Sequence, residues 1–317
     1  MPHALDPITV GFDIGGTNLK AGVVSAQGEV LEHTYVPTPR TEQALEEALC
    51  AIVQEFGSRH EIAAVGVAIA GFLDPHCEIV RFAPHLPWRD APVRDILHQR
   101  LGLPVRIEHD ANSAAWGELR FGAGRDARDW VYFALGTGIG ATLVIDGEIY
   151  RGAFGTAPEF GHLPVVAGGR ECPCGKRGCL ERYASGTALV TTAQELATSK
   201  PERFRATQLA AALDTGEVTG KTVMNAAAAG DELGKAVVAD FTHWLNVGLA
   251  MVADVLDPEL IVVGGGVSKS ASLFLPQVAE GMSTHIVGAG FRPQPRLASA
   301  ELGSMAGIIG VADLART

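Results

Sequence analysis

The sequence predicts an α/β protein of two domains, and three observations carry that expectation. At 317 residues the chain is longer than the ~100 to 200 residues of a usual domain. Hydrophobic residues make up 47% and charged residues 19%, enough apolar side chain for packed cores and too little charge for a disordered chain. A strand, glycine turn, strand pattern near the N-terminus returns at Trp130, and helical and strand segments follow each copy. The expected division is an N-terminal α/β domain at 1–118 and a larger C-terminal α/β domain at 119–302, facing each other across a cleft. A helix within 303–317 is expected to pack back on the first domain.

The elements follow in order. Ile8 to Asp13 reads as a strand ending on an acidic residue, then the turn Ile14-Gly15-Gly16-Thr17 and a second strand from Leu19 to Val24. Ala44, Leu45, Ala48, Leu49, Ile52, Val53 and Phe56 fall on one helical face, and Glu61 to Ala70 reads as a buried strand. Pro104 to Glu108 reads as a strand leading into a helix at His109-Asp110. The second copy runs from strand Trp130 to Ala134 through Gly136-Thr137-Gly138-Ile139-Gly140 to strand Ala141 to Ile145, then Asp146-Gly147 and Glu148 to Tyr150. Ala21-Gly22-Val23-Val24…Gly28-Glu29-Val30 lies beside Ala141-Thr142-Leu143-Val144…Gly147-Glu148-Ile149 with one gap, which reads as an internal duplication. A plain β-meander would share the turn spacing but not the helices that follow. Lys221 to Ala229 and Leu233 to Val255 read as helices, Leu260 to Val263 as a core strand, and Gly264-Gly265-Gly266 precedes another helix. Residues 199–220 read as a loop with short helices.

The charge balance narrows the partners. With 25 Lys and Arg against 36 Asp and Glu the formal net charge is −11, so no overall positive field draws in nucleic acid or an anionic membrane. Met1 to Pro7 shows neither the basic nor the apolar region of a leader, and Gly or charge interrupts every apolar run short of the roughly 20 residues that span a bilayer. A cytoplasmic protein without a membrane segment is expected.

Glycine, at 38 residues, is the compositional outlier. A turn of Gly15, Gly16 and Thr17 can present backbone N–H groups to phosphate, because glycine reaches positive φ without a Cβ clash, and Gly136-Thr137-Gly138 can do the same. Asp13 is a hard oxygen donor suited to Mg²⁺ that travels with a nucleotide, and Lys20 adds a phosphate-facing charge. No G-x-x-x-x-G-K-[ST] or G-x-G-x-x-G motif is present. Gly264-Gly265-Gly266 is expected to leave room for adenosine.

His162, Cys172, Cys174 and Cys179 form His-x9-Cys-x-Cys-x4-Cys, with Gly175 and Gly178 placed for sharp turns. Three thiolates and an imidazole make the four-ligand shell of a structural Zn²⁺ site; a disulfide among the cysteines is the alternative. Glu159 and Glu181 flank the loop and suit vicinal hydroxyls of a sugar, with the second ring nitrogen of His162 as a further contact. The loop is expected to be remote from phosphate chemistry. Cys50 and Cys77 read as ordinary buried or partly buried thiols. Asp110, at the carboxyl end of a strand, reads either as a proton acceptor or as a plain helix N-cap.

Taken in order, Asp13-Ile14-Gly15-Gly16-Thr17, Asp110-Ala111-Asn112, Leu135-Gly136-Thr137-Gly138-Ile139-Gly140, Glu159-Phe160-Gly161-His162, Cys172-Pro173-Cys174-Gly175-Lys176-Arg177-Gly178-Cys179-Leu180-Glu181 and Val263-Gly264-Gly265-Gly266 resemble the motif set of the ROK sugar kinases along nearly the whole chain. Phe82 to Trp88 and Ala115-Trp116-Gly117-Glu118 look most like the ATP-dependent bacterial glucokinases of that family. The resemblance implies an actin-like ATPase (ribonuclease H-like) fold, ATP with Mg²⁺ as donor, structural Zn²⁺, and glucose or a related hexose as acceptor. It implies Asp110 as base and sugar contacts from His109, Asp110, Glu159, His162 and Glu181. Nucleotide contacts fall on Asp13, Gly15, Gly16, Thr17, Asn18, Lys20, Gly136, Thr137, Gly138, Gly264, Gly265 and Gly266, and a homodimer is implied as well. The chain departs from the pattern at His109, where the family usually has Asn, so selectivity at the sugar C3 and C4 hydroxyls stays open. Kinases for N-acetylmannosamine, N-acetylglucosamine or mannose remain the alternatives in this class. A ROK regulator would need a DNA-binding helix-turn-helix, and seven residues precede the first strand. An actin-like scaffold would leave the carboxylates around the cysteine loop idle.

Overall fold

A computed structural model describes residues 7–216 and 218–317. Of the segment read above for a leader, residues 1–6 lie outside the described residues, as does Glu217 in the loop region. The chain runs through β1 (Ile8–Ile14), β2 (Asn18–Val24), β3 (Val30–Pro37), α1 (Glu42–Gly57), β4 (Ile62–Ile69), the short strands β5 (Phe72–Leu73), β6 (Val80–Phe82) and β7 (Arg89–Ala91), α2 (Val93–Leu101), β8 (Val105–His109) and α3 (Asp110–Phe121). Then come β9 (Trp130–Leu135), β10 (Ile139–Ile145), β11 (Glu148–Tyr150), α4 (Gly186–Ser199), α5 (Pro201–Phe204), α6 (Gln208–Thr215), α7 (Gly220–Ala228) and α8 (Glu232–Leu256). β12 (Leu260–Gly264), α9 (Leu275–Met282), β13 (Arg296–Ser299) and α10 (Ala306–Leu314) complete it.

Packing divides the described residues into one unit of 7–128, Thr142–Pro158 and Glu301–Thr317 and another of Asp129–Ala141 and Glu159–Ala300. Among the described residues one five-stranded sheet has the order β3-β2-β1-β4-β8, a second β11-β10-β9-β12-β13, and a small third sheet is β5-β6-β7. The duplication read from the sequence is therefore a repeated strand path. In the first sheet β1 and β2 pair antiparallel and β1, β4 and β8 run parallel; in the second β10 and β11 are antiparallel and β9, β12 and β13 parallel.

Residue pattern accounts for each layer. β3 alternates half-buried and exposed positions, as an edge strand with one wet face does, whereas all five residues of β12 are buried, as in a covered parallel strand. On α1, Thr41 caps the start by accepting from Ala44 N–H, and Leu45, Leu49, Ile52, Val53 and Phe56 turn into a core with Phe12, Trp88 and Ile107. α10 lies against α3, β1 and β4. A Cβ on Gly66 would sit 2.0 Å from the carbonyl oxygen of Val311, so glycine in β4 lets that helix approach the sheet.

The apolar-run reading is corrected at α8. Its 25 residues are long and apolar enough by composition to cross a membrane, because Gly234, Gly248 and single charges interrupt the sequence without interrupting the helix. Leu233, Val237, Phe241, Leu245 and Leu249 are buried, and the helix packs on α4, α7 and α9 as a core element.

Candidate active site

In the first unit Asp13 faces Lys20 across the β1–β2 hairpin, and Lys20 Nζ donates to its Oδ2 at 3.0 Å. Burial pushes the Asp13 carboxyl above its ordinary range; the Lys20 charge and hydrogen bond pull it down without cancelling that rise, and the negative Asp110 adds to it. A half-buried carboxylate of this kind fits Mg²⁺ as one hard donor, with waters and phosphates completing the shell. Asn18 opens β2, and its carbonyl accepts from Gly15 N–H at 3.0 Å. Thr38 Oγ1 donates to Gly15 O at 2.7 Å and Arg40 Nη1 to Gly16 O at 3.0 Å, so the turn is tied through its carbonyls.

The second unit ties its turn differently. Gly136 N–H donates to Gly138 O at 2.9 Å, while Gly186 N–H donates to Gly136 O at 2.8 Å and Thr187 Oγ1 to Thr137 O at 2.7 Å. α4 thus begins directly on this turn, with Ser185 as its cap. The expectation that these turns use positive φ is corrected: none of Gly15, Gly16, Gly136 or Gly138 takes it. Clearance is the reason for glycine at 138, where a Cβ would lie 2.0 Å from Glu181 Oε2.

A cavity of about 840 Å³ opens beside this turn, lined among others by Gly136, Thr137, Gly186, Thr187, Gly266 and Lys269. It lies within the usual ~300 to 1,000 Å³ of ligand pockets. Gly264 ends β12 against the Tyr132 hydroxyl, Gly265 takes φ +82°, and Gly266 lines the cavity. Sequence reasoning does not single out Gly186 and Thr187. The available signal is Ser185-Gly186-Thr187 ahead of an apolar helical pattern, a helix N-terminus able to face anions.

The cysteine loop assembles as its spacing predicts. The ligand atoms of His162, Cys172, Cys174 and Cys179 all lie within 4.8 Å of one another. Cys174 Sγ stands 3.7 Å from Cys179 Sγ, and Cys172 Sγ 3.6 Å from His162 Nδ1. A tetrahedron with Zn–S near ~2.3 Å and Zn–N near ~2.05 Å has edges of about 3.8 and 3.6 Å, so the donor set fits Zn²⁺. All three cysteines are free thiols, which removes the disulfide alternative. Burial, then the neighbouring Cys174 and Cys172, push the Cys179 thiol up to about 12, a crowding that a cation relieves.

With Nδ1 turned to the cysteines, His162 Nε2 lies 3.8 Å from Glu159 Oε2. Glu181 makes a tie that the sequence does not announce. Its Oε2 accepts the Ile139 N–H at 3.0 Å and its Oε1 lies 3.9 Å from Cys172 Sγ, so one carboxylate joins the cysteine loop to the end of the Gly136–Gly138 turn. The expectation of a loop remote from the phosphate turn is thereby corrected. Spacing along the chain does not reveal that Glu181 folds back on a residue 42 positions earlier.

At the β8–α3 junction His109 occupies the N-cap position without a side-chain cap bond, and Asp110 is the first helical residue. This corrects the reading of Asp110 as the cap. Among the described residues its hydrogen-bond and ion-pair contacts both fall on Oδ1, from Ala111 N–H at 2.7 Å and from His109 Nε2 at 3.3 Å. The side chain is 42% exposed, open to a substrate at the carboxyl end of a parallel strand. Cys77 is buried and Cys50 half-buried, as the sequence suggests.

The ROK family model matches residues 9–317. A glucokinase of Streptomyces coelicolor is 40% identical over 312 residues, covering 98% of each chain. Among solved structures, the ROK family glucokinase from Streptomyces griseus, determined in complex with glucose and AMPPNP, superposes with a TM-score of 0.86 at 42% identity, covering 98% of this chain and 99% of its own. The ROK hexokinase from Thermus thermophilus gives a TM-score of 0.79 at 31% identity, with 96% and 97% covered.

Proposed function

The chain belongs to the ROK family, and from that premise we propose that it transfers the γ-phosphoryl group of ATP to the 6-hydroxyl of glucose, giving ADP and glucose 6-phosphate. It is a phosphotransferase of the hexokinase type with an actin-like ATPase fold. The observation that carries the reading is its similarity, along nearly the whole chain, to a glucokinase solved with glucose and an ATP analogue. Sugar-dependent ADP release measured across glucose, mannose, N-acetylglucosamine and N-acetylmannosamine tests it. Turnover with glucose well above the others is expected, and ADP release indifferent to sugar would overturn it.

The residue roles are our assignment. Asp110 orients the attacking hydroxyl and takes its proton on Oδ2, while Oδ1 stays engaged with Ala111 N–H. Glu159, His162 and Glu181 bind sugar hydroxyls, and His109 touches the sugar next to Asp110. Phosphoryl transfer passes a loose transition state, so these groups act chiefly by alignment. The turns at Gly15-Gly16-Thr17-Asn18 and Gly136-Thr137-Gly138 and the run Gly264-Gly265-Gly266 contact the nucleotide, with the adenosine end in the cavity lined by Gly266. Asp13 and Lys20 serve the metal–phosphate end, where Asp13 would help to hold Mg²⁺, whose charge would offset the charge that develops on the phosphoryl oxygens. His162, Cys172, Cys174 and Cys179 would hold Zn²⁺ as a structural tie that would fix the His162 ring and the start of the turn bearing Glu181.

We place the protein in the cytoplasm and read it as a homodimer. Exposed Met251 and Val255 share one face of α8, and the exposed Val287 lies beside them, its N–H bonded to Asp254. Light scattering on wild type and Val255→Glu should find a dimer that the charge weakens.

A further inference from the structure

One buried carboxylate takes no part in this mechanism and yet underlies it. Glu108, on β8, is 1% exposed. Its Oε1 accepts the His109 backbone N–H at 3.1 Å and Asn112 Nδ2 at 3.0 Å. Its Oε2 is held by the Arg151 guanidinium, through Nε at 3.2 Å and through Nη2. Asn112 Oδ1 in turn accepts the Thr142 hydroxyl at 3.0 Å. The network therefore grips the residue before Asp110 and the residue two after it. Because His109 supplies no cap bond, the first turn of α3 is secured from beneath by this carboxylate rather than from its own cap.

A buried ion pair is an uneconomical way to gain stability, since desolvation offsets most of the Coulomb attraction. Burial alone would raise the Glu108 carboxyl, but the Arg151 hydrogen bonds and charge, with Asn112 and Arg106 behind them, hold it below the ordinary range. Cys77 Sγ, 3.6 Å from Oε1, stays a thiol, pushed up to about 12 by burial and then by the Glu108 charge. What the ion pair supplies is a fixed direction: with Oε2 gripped by the planar guanidinium, Oε1 is held with its lone pairs toward one backbone N–H and one amide.

We infer that the Glu108–Arg151 pair is a positioning device that sets the orientation of Asp110 through the His109 N–H and Asn112. This rests on Asp110 as the proton acceptor of the proposed kinase. A misplacement near 1 Å at a reacting group can lower a rate by about 10²-fold without touching binding.

The experiment compares Glu108→Gln, Arg151→Lys, Arg151→Met and the double variant Glu108→Gln/Arg151→Met in full-length protein. It measures kcat, glucose affinity by calorimetry and the thermal midpoint. Glu108→Gln should lower kcat by roughly 10-fold or more while the glucose Kd stays within about twofold. Arg151→Met should lose more, Arg151→Lys should restore part of it, and the double variant should exceed Arg151→Met because no uncompensated carboxylate remains. Should the Arg151 variants fold poorly, Thr142→Val removes only the hydroxyl behind Asn112 and should still lower kcat several-fold at unchanged Kd. Wild-type kcat in Glu108→Gln, a rise in glucose Kd that matches the fall in kcat, or a loss that merely follows the unfolded fraction would each overturn the inference. Wild-type protein that releases no ADP with glucose would overturn the kinase reading instead.

Discussion

The β1–β2 turn and the β9–β10 turn hold the same place in their two sheets, and they handle charge in opposite ways. Carried back at the same offset of 120 positions, Asp13-Ile14-Gly15-Gly16 stands beside Phe133-Ala134-Leu135-Gly136, so the strand-end acid exists in one copy alone. The first turn carries side-chain charge: Asp13 with Lys20, and Arg40 on the Gly16 carbonyl. The second has a backbone solution, with the start of α4 bonded to its carbonyls and Glu181 on the N–H that follows. A repeated strand path thus fixes where the chain turns and leaves open which chemistry occupies the turn. On our reading the charged copy manages the metal and γ-phosphate end, and the uncharged copy cradles the rest of the nucleotide.

The largest effect should come from outside both turns, which makes it the reference. Asp110→Asn keeps the shape of the β8–α3 junction and removes the proton acceptor, so kcat should fall by ~10²-fold or more with glucose affinity retained by calorimetry. Half the wild-type rate would dismiss Asp110 as base, and with it the scale against which the turns are judged.

The comparison breaks most directly at Asp13. Asp13→Asn should lower kcat/KM for MgATP by about 10 to 100-fold, as loss of an outer-shell metal partner does, whereas Thr137→Val in the uncharged turn should shift only the ATP KM, by a few-fold. The pH sign follows from the raised carboxyl. A group whose folded pKa lies above its unfolded value adds stability only below the unfolded pKa, and that contribution is lost as pH rises through the folded value. In metal-free protein at pH 7 the ionised Asp13 therefore opposes folding, and Asp13→Asn should raise the thermal midpoint; below about pH 4, near the ordinary aspartate pKa, the gain should vanish. A variant less stable than wild type at pH 7 would show that the Lys20 pair outweighs burial and that the first turn is a structural clasp.

A smaller effect should come from the cysteine loop. Metal analysis should find about one zinc per chain, and Cys174→Ser should lose it. Because Glu181 touches both the loop and the Ile139 N–H, the KM for glucose and for ATP should rise together, each by several-fold, rather than the sugar alone. An unchanged ATP KM in zinc-free protein would separate the two regions that Glu181 joins.

How much of this is legible in the sequence depends on the range of the interaction. The β1–β2 turn, the α1 face and the His162–Cys179 ligand set are local patterns, and apolar period, glycine and cysteine spacing report them directly. Glu108–Arg151, Asn112–Thr142 and Glu181–Ile139 join residues 43, 30 and 42 positions apart, and no local spacing encodes which carboxylate folds back on which N–H. Glu108 reads as one more polar residue in a short strand until burial shows that it must have partners. The cap at α3 falls one residue from where residue type alone puts it, for a similar reason: aspartate is the better capping type, but the backbone places His109 in the extended conformation and Asp110 inside the helix.

The smallest expected effect concerns that same cap. His109→Asn offers an amide at a position where the imidazole makes no cap bond and instead sits 3.3 Å from Asp110 Oδ1. Two outcomes compete for one amide. Turned inward, the introduced amide would cap α3, a change worth roughly 0.5 to 1 kcal/mol that would raise the thermal midpoint by about 2 °C and leave sugar preference alone. Turned outward, it would meet a sugar hydroxyl, leave the midpoint unchanged and shift the kcat/KM ratio between glucose and its C3 or C4 epimers. We expect the outward arrangement and an active kinase. The Glu108 carboxylate already holds the His109 N–H and Asn112, so the first turn gains little from a second anchor, whereas among the described residues Asp110 is engaged through Oδ1 alone, which leaves Oδ2 to the sugar side of the junction. A higher midpoint with unchanged epimer preference would show that position 109 serves the helix, and that Glu159, His162 and Glu181 with Asp110 make up the whole polar sugar clamp.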